Sequence, residues 1–247
     1  WGLGVPTSYT TISSAITAAT AGDTVCVGAG TYVEKVTLSK ALILDGYEGS
    51  AATFLDGGGV NTVLTANTYA GTAEVRGFTI QNGSGTSSAG VSLSSVKLWL
   101  DDVVIADNHC SNTTSSCIGT AVYASGGTLD LTDVAIRDNS ATAANIHGTL
   151  MYVTSGRIVT AERLTAVDNV ASCTGQSAPG IFLNGSSFSG TNVIIAGNSA
   201  TASDGYCWQI AEIVTLSTST LNLTNATITG NRLDSGADSA TGVVHLY

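Results

Sequence analysis

Charge is what this chain has least of. Asp, Glu, Lys and Arg make up 11% of its 247 residues, less than half the usual share of about 25%. Eight residues are basic and 18 acidic, giving a net charge of −10. Nucleic-acid binding needs a cationic footprint, and none exists here. An anionic membrane surface or an acidic polysaccharide would be repelled in the mean field. No apolar run approaches the roughly 18 residues a membrane span needs, so no transmembrane segment is expected. No signal-peptide pattern opens at Trp1, and a secreted protein would be numbered here in its mature or trimmed form. Proline is scarce at 2 residues, whereas Gly reaches 29. With Thr, Ser, Ala and Asn filling much of the rest, the expected surface is one of hydroxyls and amides rather than salt bridges.

The five cysteines, Cys26, Cys110, Cys117, Cys173 and Cys207, fit no zinc-ligand spacing. Four lie in Ser/Thr/Gly-rich segments and read as two disulfides, which implies an oxidising compartment and an extracellular or cell-surface location. Cys110 and Cys117 lie close enough to close one loop locally, and Cys173 and Cys207 fall in loops of adjacent repeats. Four cysteines allow three pairings, between which sequence cannot choose. Cys26, inside Val25-Cys26-Val27, reads as a buried free thiol.

The strongest signal is an internal repeat. Short apolar-alternating segments end in Asn108, Asn139, Asn169, Asn198 and Asn231, spaced 31, 30, 29 and 33 residues apart. Upstream of each lies a second alternating pair (Leu98/Leu100, Leu129/Leu131, Val159/Ala161, Phe188/Gly190, Leu221/Leu223) and, further upstream, a third (Val91/Leu93, Val122/Ala124, Met151/Val153, Ile181/Leu183, Val214/Leu216). Period-two alternation buries one face of each strand. Three strands and three turns per roughly 30 residues describe one coil of an all-β, right-handed parallel β-helix, with coils stacked about 4.8 Å apart. The whole chain, 1–247, reads as one domain, with a cap helix over 8–22, irregular first coils over 23–83 and regular Asn-ended coils over 84–247.

The recurring Asn is expected to take the left-handed conformation at a sharp bend and to bond its neighbour one coil away as a ladder. A second corner row, Asp102, Asp133, Arg163, Asn192 and Asn225, reads as a solvated turn with one salt bridge. Segments after the Asn corner, Ser140–His147, Val170–Gly180, Ser199–Ile210 and Arg232–Gly242, are expected to be variable loops, where function concentrates. Tyr123, Tyr152 and Phe182 occupy one position on three consecutive coils. Facing outward they would form an aromatic ladder for sugars or a partner, and slipped by one they would be core. Val122, Met151 and Ile181 compete for the inside, which favours outward. Trp208, beside Cys207, is a further binding candidate or else packs over its loop base. The three histidines suggest no nucleophile–base set.

Thr11–Ala21 places Ile12, Ala15, Ile16 and Ala19 on one helical face, with Thr10 or Thr11 as N-cap and Gly22 as terminator. Such a helix would plug the first coil and hide its strand edges. Asp23-Thr24-Val25-Cys26-Val27 and Gly30-Thr31-Tyr32-Val33-Glu34 follow. Together these residues resemble the opening of the pectate-lyase-like superfamily, and the Asn-ended coils resemble the repeats of polymorphic outer membrane proteins and other bacterial surface β-helix proteins. The resemblance implies a fold shared by enzymes and non-catalytic surface proteins alike. Departures from the enzymes are informative. The catalytic segments of pectin methylesterases have no counterpart here, and the cations are scattered over many coils. Asp107, Asp138 and Asp168 stack just before the Asn and are the best catalytic or calcium-binding candidates, although repetition at one corner suits a turn role. Val243–Tyr247 reads as the start of a further coil, with self-association by stacking as one expectation. The leading functional expectation is a non-catalytic scaffold or adhesin-like module binding a protein or glycan. The second is a carbohydrate-active lyase- or hydrolase-like enzyme or a glycan-binding domain.

Overall fold

In the computed structural model, which describes residues 8–67, 69–173, 177–178, 180–202, 210–216, 218–234 and 241–246, the chain winds into a parallel β-solenoid of about 6 turns, roughly 30 residues each. Every coil has three faces. One coil shows the plan: Val122–Arg137 is a single long strand bent twice, at Gly126/Gly127 and at Asp133. Its three straight pieces pair in parallel with the coils before and after, Val122 with Val91 and Met151, Leu129 with Leu98 and Val159, Ile136 with Ile105 and Ala166. These residues point inward and form one continuous buried column with Leu93, Leu100, Val153, Leu164 and Phe188.

The bends have a common cause. Each corner needs at least one residue in the left-handed region. Three in-register rows supply it: Ser95, Gly126, Ser155 and Gly185; Gly77, Asp102, Asp133, Arg163, Asn192 and Asn225; and Asn82, Asp107, Asp138, Asp168, Gly197 and Gly230. Asn, Asp and Gly tolerate that conformation best. The expectation that the ladder asparagines themselves adopt it is corrected here, since the left-handed residue is the one just before each Asn. The strained turn lets the following Asn side chain dive into the interior. Asn108, Asn139, Asn169 and Asn198 are essentially buried.

The ladder itself is present. Asn139 Oδ1 accepts from the backbone N–H and from Nδ2 of Asn108, at 3.1 and 3.0 Å, while its own Nδ2 donates to Asn169 Oδ1, Ile105 O and Arg137 O at 2.9 to 3.0 Å. The same pattern repeats down to Asn231.

The post-Asn segments are not irregular loops, which corrects the three-strand coil. His109–Ile118, Ser140–His147, Val170–Cys173 and Ser199–Ala202 are strands that stack in parallel as a second sheet. His109–Ile118 and Ser140–His147 each leave the solenoid after the Asn, run out and return, and the stacked segments form a fin. Its small core holds Cys110, Cys117, Ala141, Ala143, Ile146, Ala171, Cys173 and Ala200. The Cys110–Cys117 disulfide joins the outgoing and returning legs across a Cα separation of 5.9 Å. In the next coil the same two positions are Ala141 and Ile146. Cys173 is also disulfide-bonded, and Cys207, its expected partner, lies outside the described residues. Closing so short a loop is worth about 2–3 kcal/mol. Cys110→Ala with Cys117→Ala should therefore lower stability by about that amount, read as the urea midpoint of the double variant against the oxidised protein.

At the N-terminal end α1 (Ile12–Ala18) packs Ile12 and Ile16 against the first coil, with Thr11 as N-cap. It is shorter than the expected 8–22. Two distant charges complete it: Glu34 accepts from the backbone N–H groups of Ile12 and Ser13, and Lys40 Nζ donates to the carbonyls of Ile16, Thr17 and Ala19. An anion at the start and a cation at the end both oppose the helix dipole. Cys26 is exposed rather than buried, because the alternation that turns Val25 and Val27 inward turns it outward. Among the described residues no helix is long and apolar enough to cross a membrane.

Candidate functional site

Two surfaces carry side chains with chemistry to offer. The first is the aromatic row. Tyr123, Tyr152 and Phe182 lie in register and project from the outside of the coils, opposite the inward Val122, Met151 and Ile181. Tyr123 and Tyr152 stack with centroids 5.9 Å apart and rings 9° from parallel, and Tyr152 and Phe182 with centroids 5.3 Å apart. The row is not a free platform. His147, the last residue of a fin strand, lays its ring against Phe182 at 5.0 Å and Tyr152 at 6.0 Å. Phe182 is 7% exposed. The four rings join the returning leg of the fin to the solenoid, so much of the row is spent on packing. Trp208 lies outside the described residues.

Burial lowers the pKa of His147 below its ordinary value. A base whose folded pKa is depressed contributes stability that is whole above its unfolded pKa, near 6.5, and is lost as pH falls. Asp56 behaves differently. Burial pushes its carboxyl up, but hydrogen bonds from Gln81, Gly58 and Asn82 outweigh that and hold it below its usual value. Its contribution is present above about pH 4 and lost below. Unfolding followed against pH should therefore show stability falling first below about pH 6.5 and again below about pH 4. His147→Gln should remove the first fall and leave the second.

The second surface is the face built by 97–101, 128–132, 158–162, 187–191 and 220–224. Its outward residues form two rails. One runs Trp99, Asp130, Thr160, Ser189, Asn222, and the other Asp101, Thr132, Glu162, Thr191, Thr224. Between them lies a groove of about 310 Å³, floored by Leu131, Ala161 and Gly190. Trp99 is 37% exposed, and its Nε1 donates across to Thr132 Oγ1 at 3.1 Å. The indole thus spans from one rail to the other. The carboxylates are already engaged: Asp130 accepts from Thr160 Oγ1, and Glu162 Oε1 accepts from Arg163 and Asn192. Arg163 in turn binds both oxygens of Asp133 and holds that carboxyl below its usual range. Glu162 is thus paired with a cation, whereas Asp130, which also lines the groove, is met by a hydroxyl alone.

Asp107, Asp138 and Asp168 occupy left-handed corner positions, and Asp138 pairs with Arg137 at 2.7 Å. Among the described residues no three His, Cys, Asp or Glu side chains come together to hold a metal ion. A pocket of about 620 Å³ between α1 and Asp23–Gly28 includes the Cys26 thiol, with no histidine or cation on its walls. Sequence reasoning missed the groove, because its rails include residues taken as ordinary wet faces of strands. The spacing of polar residues two apart, as in Thr160–Glu162 and Ser189–Thr191, was the available signal.

Set against models of known families, curated proteins and solved structures, the chain has no match.

Proposed function

We propose that this protein is a non-catalytic recognition scaffold that works outside the cytoplasm, secreted or at a cell surface, in the manner of an adhesin-like module. The observation that carries this reading is the two-rail face, a rigid array of hydroxyl, carboxylate and amide groups set coil by coil, with one indole at its edge. Such an array suits binding, since its groups are fixed by strand pairing before any ligand arrives. The disulfide in the fin supports an oxidising compartment. The likeness of residues 11–34 to the opening of pectate-lyase-like proteins, and of the Asn-ended coils to bacterial surface β-helix repeats, agrees with it. The enzyme reading needs an acid–base pair within reach of one bond. The stacked aspartates that would serve it stand at turns, and the repetition of their role from coil to coil is explained by backbone geometry.

The test uses the full chain with a panel of neutral and acidic polysaccharides, with and without calcium. New reducing ends and unsaturated products are measured over a day. The scaffold reading expects saturable binding without product. Product that disappears in Asp107→Asn, Asp138→Asn or Asp168→Asn would replace it with the enzyme reading.

A further inference from the structure

We propose that the two-rail groove binds a neutral, extended glycan chain lying along the solenoid axis, with one sugar ring stacked on Trp99. The proposal rests on the scaffold reading and names its ligand class. Three observations select it. First, the rails repeat once per coil, every 4.8 Å or so. That is close to the length of one sugar residue in an extended chain, whereas a peptide strand advances about 3.3 Å per residue and drifts out of step. Second, charge disfavours charged chains: a polyanion would meet Asp130 and Glu162 with no cation among the groove's lining residues, and a polycation would find Glu162 already held by Arg163, with Asp130 alone left to neutralise. What remains is hydroxyls: Ser189 and Thr191 can donate and accept, Thr132 accepts from the indole and keeps its own hydrogen to donate, and Thr160, whose hydrogen goes to Asp130, still accepts. Third, Trp99 stands one coil before the groove, in register with Asp130 at its edge, and offers an apolar ring face to the less polar face of a sugar while its N–H is already satisfied by Thr132.

The experiment is calorimetric titration of the whole protein with cellohexaose, tri- and hexa-oligogalacturonate and a hexalysine peptide, alongside a wider array of neutral oligosaccharides. Binding of at least one neutral hexasaccharide is expected, at least tenfold tighter than the oligogalacturonate or the peptide of equal length. Trp99→Ala should weaken it at least tenfold. Trp99→Phe, which keeps an aromatic face and so controls for misfolding, should weaken it less than threefold. Thr160→Val with Thr191→Val should weaken it severalfold, while Asp138→Asn, on another corner, should leave it unchanged. Tighter binding of hexalysine or oligogalacturonate, no binding by any neutral chain, or equal binding by Trp99→Ala and the parent would overturn the proposal. Cleavage of a bound chain would instead overturn the scaffold reading and leave the groove assignment standing, so the two fail separately.

Discussion

Asn139→Ala is expected to destabilise the protein by about 3–5 kcal/mol. The substitution removes five hydrogen bonds at once. It strands the backbone N–H of Asn108 and the carbonyl of Ile105 in an interior where Asn108 and Asn139 are both 0% exposed. Each buried group left without a partner costs about 1–3 kcal/mol. Asn231→Ala, at a less buried rung, should cost distinctly less. Urea denaturation at pH 7 compares the two. Asn139→Asp gives a second reading of the same geometry. Its carboxylate would face the carbonyls of Ile105 and Arg137, so its folded pKa is raised. The deficit should be full at neutral pH and shrink as pH falls toward the unfolded value, because the protonated acid again offers a donor. Equal stability of Asn139→Ala and the parent would mean that strand pairing alone holds the corner.

Arg157→Met is expected to act in the opposite direction and to stabilise by about 1–4 kcal/mol. Arg157 is fully buried, and its Nη1 donates to Val96 O at 2.5 Å and Thr128 O at 3.1 Å. Among the described residues its Nε and Nη2 find no partner, and it makes no ion pair. Burial pushes its pKa down to about 10, and that of nearby Tyr69 up to about 12, so at neutral pH the guanidinium remains charged beside a neutral phenol. A cation held in this way is costly, and methionine fills similar space with no charge to bury. The two carbonyls lose a donor, which carbonyls bear better than buried N–H groups do. Arg157→Ala should do worse than methionine because it leaves a cavity. A lower melting temperature for Arg157→Met would show that the two carbonyl bonds tie coils together more strongly than desolvation pushes them apart.

Alternation and period made the solenoid legible. Val122/Ala124, Leu129/Leu131 and Val134/Ile136 report three inward faces, and a spacing near 30 residues repeats them. The fin was hidden because its inward residues are Ala141, Ala143, Ala171 and Ala200, small and poor in strand propensity. An alternation of Ala with Ser and Thr reads as a polar loop. Its strandedness comes from neighbours above and below rather than from the segment itself. The corner rows were half legible. Asp, Asn and Gly marked the turns, but which of two adjacent residues takes the left-handed conformation depends on which side chain the interior can satisfy, and Asn outcompetes Asp there because it both donates and accepts.

The groove shows the same division. That Trp99, Thr160 and Thr191 lie outside follows from parity, yet their assembly into two rails follows from register between coils whose lengths differ by several residues. The charges at the ends of α1 were not legible at all, since Glu34 and Lys40 lie more than 20 residues from the backbone groups they meet. Local pattern thus fixed the winding, the inward column and the recurrence of Asn, because each depends on residues a few positions apart. The fin, the buried guanidinium and the two-rail face were decided by stacking, which sets side by side residues some 30 positions distant, a relation that no short stretch of sequence contains.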